Sequence, residues 1–274
     1  MKLVSLFPLL LIFVYAGCTP LGSSGLPVTQ ELRLSSRHPL RWCSAHRGRL
    51  EGFPENSLIG LEHAAKKGVR LLEVDVRRTS DGQLILFHDG TLKQKNFEGS
   101  TALYGSKIDS LSFNKLREGH LPFTQDIKIP LLSEALRAVR PFRSVLQLDV
   151  KKETREILTQ IVKTVQAESM LDRVLIQCRK IENAQFLNRN FPWVALDIRV
   201  DQEEKLITAI NLSPHVVELE GWRSKDAARQ LRQAKIRSLF NLAPSEYDTE
   251  EMKSKLFDES VDIVMTDYAD KSCE

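Results

Sequence analysis

From Arg41 onward the chain alternates between two hydrophobic rhythms. Short apolar, β-branched runs read as strands at 41–46 (RWCSAH), 70–76 (RLLEVDV), 144–150 (SVLQLDV), 173–178 (RVLIQC), 193–199 (WVALDIR), 215–220 (HVVELE), 236–242 (IRSLFNL) and 262–267 (DIVMTD). Between them, SLIGLEHAAKKG, LLSEALRAV, ETREILTQIVKTVQAE and SKDAARQLRQA carry apolar residues three and four apart, as a helix face requires. Ser57 and Ser224 stand where helix N-caps belong, and Gly68 where a helix should end. Strand alternating with helix eight times predicts an α/β fold, a (β/α)8 barrel of the TIM type. The competing open, doubly wound sheet usually has fewer units and a Gly-rich first turn, and no such turn is found here.

The second unit is irregular. After Asp75 the chain passes through RRTSDGQ, with Asp81-Gly82 as a turn, into LILFHD, so a hairpin should extend the barrel rim. Roughly residues 90–130 then show no clear strand or long helix, and a loop of that length is usually functional. It is expected to fold over the barrel mouth as a small insertion. An apolar groove formed there by Leu103, Tyr104, Leu121 and Phe123 would favour lipid substrates.

Side chains alternate faces along a strand, so Glu73 and Asp75 share one. Like charges on one face repel unless a positive charge lies between them, which points to a metal or phosphate site. A solvent-facing edge strand is the plainer alternative. Active sites of such barrels lie at the C-terminal ends of the strands. There the sequence gathers His46-Arg47, Glu73 with Asp75, His88-Asp89, and Asp149 with Lys151 at the same two-residue spacing. The carboxylates of Glu73, Asp75 and Asp149 suit Mg2+ or Ca2+, with water and substrate oxygens completing the shell. Arg47 and Lys151 can neutralise an anion, and His46 and His88 can act as acid and base. Together they read as metal-assisted phosphoryl chemistry. Taken singly, each residue has a plainer reading: an incidental histidine, a salt bridge for Asp149 and Lys151, and for Asp267 a helix cap, preferred over an acid that supports the site. Glu218, Glu220 and Arg199 stand at strand ends without a pattern to single them out.

Composition changes little. The 274 residues are 42% hydrophobic and 27% charged, with a formal charge of +3, which fits a soluble globular domain and no nucleic-acid partner. The N-terminus is more telling. MKLVSLFPLLLIFVYAGC has one Lys and an apolar stretch from Leu3 to Tyr15, too short to span a bilayer comfortably, so residues 1–17 read as a signal peptide. Tyr15-Ala16-Gly17-Cys18 resembles a bacterial lipobox, with Tyr15 where Leu is usual; Cys18 would be lipidated and become the mature N-terminus. Ordinary cleavage nearby, with Cys18 free or removed, is the alternative. On the first reading, residues 18–40 are expected to form a tether to the membrane and residues 41–274 the barrel, and the protein is expected to be an exported envelope lipoprotein. Cys43, Cys178 and Cys273 show no disulfide framework and no metal-ligand spacing, and are expected to be plain thiols.

The stretch AHRGRLEGFPENSLIGLEHAAKKGVRLLEVDVRRTSDGQLILFHDGTL resembles the opening of the glycerophosphodiester phosphodiesterase family. His-Arg-Gly, Pro-Glu-Asn-Ser, Glu-x-Asp-Val, Thr-x-Asp-Gly and His-Asp come in that family's order, and SVDIVMTDYAD resembles its final strand. The resemblance implies a TIM barrel with His46 and His88 as the catalytic pair. Glu73, Asp75 and Asp149 become metal ligands; Arg47 and Lys151 contact the phosphate; Glu55 and Asn56 shape the first loop of the site. The implied reaction is metal-dependent hydrolysis of a glycerophosphodiester to glycerol 3-phosphate and an alcohol. Cleavage of lysophospholipids in the manner of lysophospholipase D or sphingomyelinase D is the alternative, and a catalytically dead phosphodiester-binding lipoprotein is a third reading. Three departures stand out. Asp149 replaces the family's usual Glu, as in the Asp-x-Lys of the sphingomyelinase D group. GTLKQKNF follows His88-Asp89 where Thr-Leu-Asp-Arg-Thr-Thr is usual. SLFNLAP replaces Trp-Thr-Val-Asn, so Phe240 is expected as an aromatic wall and Asn241 as a polar one.

Overall fold

Each of the eight apolar runs forms a strand. In the computed structural model, which describes residues 31–32, 40–123, 126–220, 225–243 and 246–269, they are β1 (Trp42–Ala45), β2 (Leu71–Arg78), β4 (Val145–Val150), β5 (Val174–Cys178), β6 (Ala195–Val200), β7 (Val216–Leu219), β8 (Arg237–Asn241) and β9 (Ile263–Thr266). All pair in parallel, β1 pairs with both β9 and β2, and the sheet closes into a barrel. The short β3 (Leu84–Leu86) lies antiparallel on β2 with Val76 opposite Leu86, making the rim hairpin. Helices α1 (Leu58–Lys66), α2 (Phe113–Leu116), α3 (Leu132–Val139), α4 (Arg155–Ala167), α5 (Ile181–Asn190), α6 (Leu206–Asn211), α7 (Lys225–Gln233) and α8 (Glu250–Asp258) follow in chain order. Ser57 caps α1 by accepting the amide of Gly60 at 3.1 Å, and Gly68, at φ +85°, follows its C-terminus. Ser224 lies outside the described residues.

Alternation along the strands builds two different surfaces. Outward residues such as Leu72, Val74, Leu146, Leu148 and Ile198 join the large core between sheet and helices. Inward, Leu71, Val145, Leu175, Ala195, Val216, Leu239 and Ile263 form an apolar plug at the barrel floor. Two residues further along the same faces, the interior turns polar with Glu73, Gln147, Gln177, Asp197 and Glu218, all buried. The barrel is dry at one end and carries chemistry at the other. Leu32, within the expected tether, is fully buried in the floor cluster, and its carbonyl accepts Arg237 Nε at 2.8 Å. At this point the segment is docked rather than loose.

The insertion has a core of its own. Phe87, Leu92, Phe97, Ile108 and Leu116 pack with Leu103 and Leu121, and Tyr104 lies against them. Leu103 and Tyr104 therefore hold the excursion together, and of the four residues expected to form a groove only Leu121 and Phe123 line the larger cleft described below, which corrects the expectation above. Phe240 also turns outward into the sheet–helix layer, so it is no wall of the site. Cys43 is disulfide-bonded, which corrects its reading as a thiol, whereas Cys178 is free and buried. The expected signal peptide, Cys18, most of the expected tether and Cys273 lie outside the described residues. Among the described residues no helix is long and apolar enough to cross a membrane.

Candidate active site

The His-Arg-Gly turn that ends β1 fixes much of the site. Arg47 (φ 54°) and Gly48 (φ +62°) take consecutive left-handed conformations, costly for Arg47 and natural for glycine. A Cβ on Gly48 would lie 2.4 Å from Leu61 Cδ2, so the close approach of α1 also demands glycine. The turn aims the Arg47 amide at Glu73 Oε2, 2.7 Å away, and sends the guanidinium to Glu55 at 2.7 Å. Asn56, also left-handed at φ 53°, donates Nδ2 to Asp75 Oδ2 at 2.7 Å and accepts the Asp75 amide at 2.9 Å. Asn56 thus engages Asp75 with both ends of its amide.

Glu73, Asp75 and Asp149 each offer an oxygen within 4.8 Å of the others, and all three are buried. Register explains the meeting: Asp75 on β2 stands beside Asp149 on β4. Lys151 Nζ lies between them, 2.5 Å from Asp75 and 2.7 Å from Asp149, and Arg179 reaches Asp149 Oδ2 at 2.5 Å. Burial, then Asp75 and Asp149, pushes Glu73 well above the carboxylate range. Burial also acts to raise Asp75, but Lys151 and Asn56 outweigh it and hold that group low. Burial acts to lower Lys151, and the same two aspartates outweigh it and raise the ammonium. The ammonium of Lys151 and the Arg47 amide offset part of the repulsion among the acids. Asp149 Oδ1 is nevertheless buried, with no hydrogen-bond partner among the described residues.

Each histidine is held by a carboxylate. His46 Nδ1 lies 3.0 Å from Asp267 Oδ1, and Asp267 also meets Arg49 at 3.2 Å. His88 Nδ1 lies 2.8 Å from Asp89 Oδ1, and Asp89 accepts Asn96 Nδ2 at 2.7 Å. A carboxylate at Nδ1 places the proton there, leaving each Nε2 for chemistry. Arg77 adds a clamp, donating Nε and one terminal nitrogen to the carbonyl of His88 at 3.0 and 2.5 Å. His46, Arg47, Glu73, Asp75, His88, Asp149 and Lys151 line one cavity of about 260 Å3, with Gln177, Arg179, Arg199, Glu218 and Asn241 on its far side. A second cleft of about 610 Å3 meets it at Arg47 and His88 and is walled by Phe53, Phe87, Leu121, Pro122 and Phe123, with Lys95 facing it.

A family model for the glycerophosphoryl diester phosphodiesterase family matches residues 46–271. The chain belongs to that family. It is an enzyme of the phosphoric diester hydrolase class, with glycerophosphodiesters as the family's small-molecule substrates. A glycerophosphodiester phosphodiesterase of Bacillus altitudinis is 25% identical over 240 residues, covering 83% of this chain and 95% of the relative. Rat glycerophosphodiester phosphodiesterase 1 is 28% identical over 176 residues, 62% of this chain and 48% of that protein. Among solved structures, a glycerophosphoryl diester phosphodiesterase from Parabacteroides distasonis superposes with a TM-score of 0.73 at 23% identity, covering 88% of this chain and 89% of the other. An Oleispira antarctica phosphodiesterase, solved in complex with the product sn-glycerol-3-phosphate, gives 0.72 at 20% identity over 84% and 94% of the two chains. These likenesses establish the (β/α)8 fold.

Arg77, Asn96, Gln177 and Arg179 were not among the expected site residues, and Asp267 was expected in a structural role, with an acid that supports the site as the alternative. Asp267 touches His46, as that alternative has it, and Glu218 and Arg199, which no pattern singled out, line the cavity. Beneath it, burial raises Asp197 to about 7 against hydrogen bonds from Gln177 and Gln147, and raises Glu218 to about 8 against the pull of Arg199. The folded enzyme therefore keeps protons that the unfolded chain has released, and stability contributed by these groups falls as pH rises. In chelator, the double variant Asp197→Asn, Glu218→Gln should lose less stability than the native chain between about pH 5 and pH 8, read as denaturation midpoints. Parallel pH slopes for the two proteins would count against buried, protonated acids.

Proposed function

We propose that this enzyme hydrolyses glycerophosphodiesters to glycerol 3-phosphate and an alcohol, with a hard divalent cation held by Glu73, Asp75 and Asp149. The observation that carries it is this buried triad between two carboxylate-held histidines. The donors fit Mg2+ or Ca2+: all are oxygens, and Asp149 Oδ1 is buried with a lone pair no protein group engages. Such a cation, when bound, polarises a phosphoryl oxygen and stabilises charge that builds on it. The chain's own residues supply the rest. Arg47 and Lys151 face the same cavity and bind the phosphate anion. His46 is buried, lines the smaller of the two cavities and not the larger, and has its Nδ1 proton fixed by Asp267, so Nε2 serves as the base that takes the nucleophile's proton. His88 lies where the two cavities meet, and its Nε2 protonates the departing alcohol, which leaves into the larger cleft. Asp89, Asn96 and Arg77 orient that ring.

The larger cleft supports a second reading, turnover of lysophospholipids, because Phe53, Phe87, Leu121 and Phe123 give it an apolar wall. A panel of glycerophosphodiesters and lysophospholipids, assayed with and without chelator, tests both. Turnover restricted to small diesters and abolished by chelation is expected; efficient lysophospholipid turnover would favour the second reading, and full activity in metal-free protein would remove the cation from the proposal.

The exported, lipid-anchored location is proposed on the N-terminal pattern. The disulfide at Cys43 supports it, since disulfides persist in oxidising compartments outside the cytosol. Cys18→Ser should move the protein from the membrane to the soluble fraction of the exporting cell, because acyl chains supply the anchoring energy. Native protein found soluble in intact exporting cells would contradict the anchor.

A further inference from the structure

A separate cleft of about 280 Å3 lies beside the rim hairpin and shares no lining residue with the two cavities above. Ile108 and Ile157 give it an apolar floor, and Arg77, Arg78, Lys107 and Lys152 line it against one carboxylate, Asp109. Lys152 reaches Asp109 only at 3.4 Å, and Arg78 turns to Glu156 at 2.6 Å. Lys107 is exposed, and among the described residues no ion pair is found for it.

Arg77 is the informative member. Most other half-buried arginines close on carboxylates, as Arg47 does on Glu55 and Arg199 on Glu218 and Glu220, whereas Arg173 donates to the Phe142 carbonyl. Arg77 is half-buried too, yet among the described residues it meets no carboxylate at ion-pair distance and donates to the His88 carbonyl instead. Two of its five N–H groups are thereby fixed and the planar fork is held in place. A guanidinium held rigid, partly desolvated and without a counter-ion is prepared for an anion.

We propose that this cleft is a second anion site, for a phosphate group whose glycerol or alkyl portion covers Ile108 and Ile157. Arg77 supplies the fixed fork and Arg78, Lys107 and Lys152 the surrounding charge. The site is independent of the catalytic assignment, although Arg77 ties it to the loop that carries His88. The same phosphate chemistry is offered by a free phosphate monoester and by an anionic lipid headgroup.

The test uses the full chain in chelator and titrates inorganic phosphate against thermal denaturation, since a ligand bound only to the folded state raises the midpoint. The catalytic cavity also draws phosphate through Arg47 and Lys151, so the comparison is with the double variant Lys107→Glu, Lys152→Glu, which leaves that cavity intact. In metal-replete buffer this variant should turn over a glycerophosphodiester as the native enzyme does, which also shows that it folds. Should it fail to fold, Lys107→Met, Lys152→Gln takes its place. The variant's rim affinity for phosphate should fall about tenfold or more, on the scale of charge-assisted hydrogen bonds, and the rim-dependent part of the shift should vanish. Sedimentation with phosphatidylglycerol vesicles, against neutral phosphatidylcholine, identifies the source. Anionic-vesicle binding lost in the variant assigns a lipid headgroup, and a phosphate effect without vesicle binding assigns a free anion. Identical phosphate titrations and identical sedimentation for native and variant proteins would overturn the site.

Discussion

His88→Ala is expected to lower turnover of a glycerol or choline diester by about 10²–10⁴, the usual worth of a positioned acid or base, and to cost far less on a p-nitrophenyl phosphodiester. The reasoning starts from position. His88 stands where the catalytic cavity meets the larger cleft, so an alcohol leaving in that direction passes its Nε2. An alkoxide is a poor leaving group and needs the proton; p-nitrophenolate departs as a stable anion and does not. On the proposed assignment His46→Ala removes the base that acts on the nucleophile, and should therefore slow both substrates alike. Asp267→Asn should resemble a milder His46→Ala, because it loosens the ring and its tautomer while leaving the imidazole present. Steady-state kinetics on both substrates decide the matter. The opposite selectivity would exchange the two roles, and small, equal losses for both histidine variants would remove acid–base catalysis by this pair.

Much of this arrangement was legible because a strand's period is two. Once 70–76 is read as a strand, Leu71, Glu73 and Asp75 must share a face, and their order already gives an apolar floor beneath an acidic mouth. The same rule at 144–150 delivers Val145, Gln147 and Asp149, and the observed register sets Asp75 beside Asp149. Arg77 was missed for a small reason: β2 runs on to Arg78, two residues past the apolar run, and Arg77 continues the inward face. The partnership of His46 with Asp267 spans 221 positions, yet barrel closure sets Ala45 opposite Thr266, so the next residue on each strand is a neighbour. It could have been inferred from the closed topology alone. Asn96, by contrast, reaches Asp89 from within an irregular loop, where no periodicity constrains direction. The groove expected from Leu103 and Tyr104 failed because the insertion must bury apolar surface to hold its own shape, and those residues are used for that.

The largest effects are expected at the acids themselves. Asp75→Asn and Asp149→Asn should each abolish measurable cation binding and take turnover down by about 10³ or more, since charge stabilisation at the reacting phosphate is usually the largest single contribution. Both substitutions keep side-chain shape, and Asp75→Asn still offers Asn56 an acceptor, so each protein should remain folded. Lys151→Met separates cation binding from catalysis, because its expected effects have opposite signs. Its ammonium lies 2.5 Å from Asp75 and 2.7 Å from Asp149, competing for the same carboxylates that a divalent cation needs. Removing it should tighten binding of the cation while raising KM and lowering kcat, because the phosphate loses a contact. A merely structural lysine would weaken both together. Calorimetric titration of Mg2+ and Ca2+ into chelator-treated protein, set beside the kinetics of the same variants, reads both quantities. Unaltered cation binding in Asp75→Asn and Asp149→Asn would place the cation elsewhere, and weaker binding in Lys151→Met would show that the ammonium supports the site rather than competing for it.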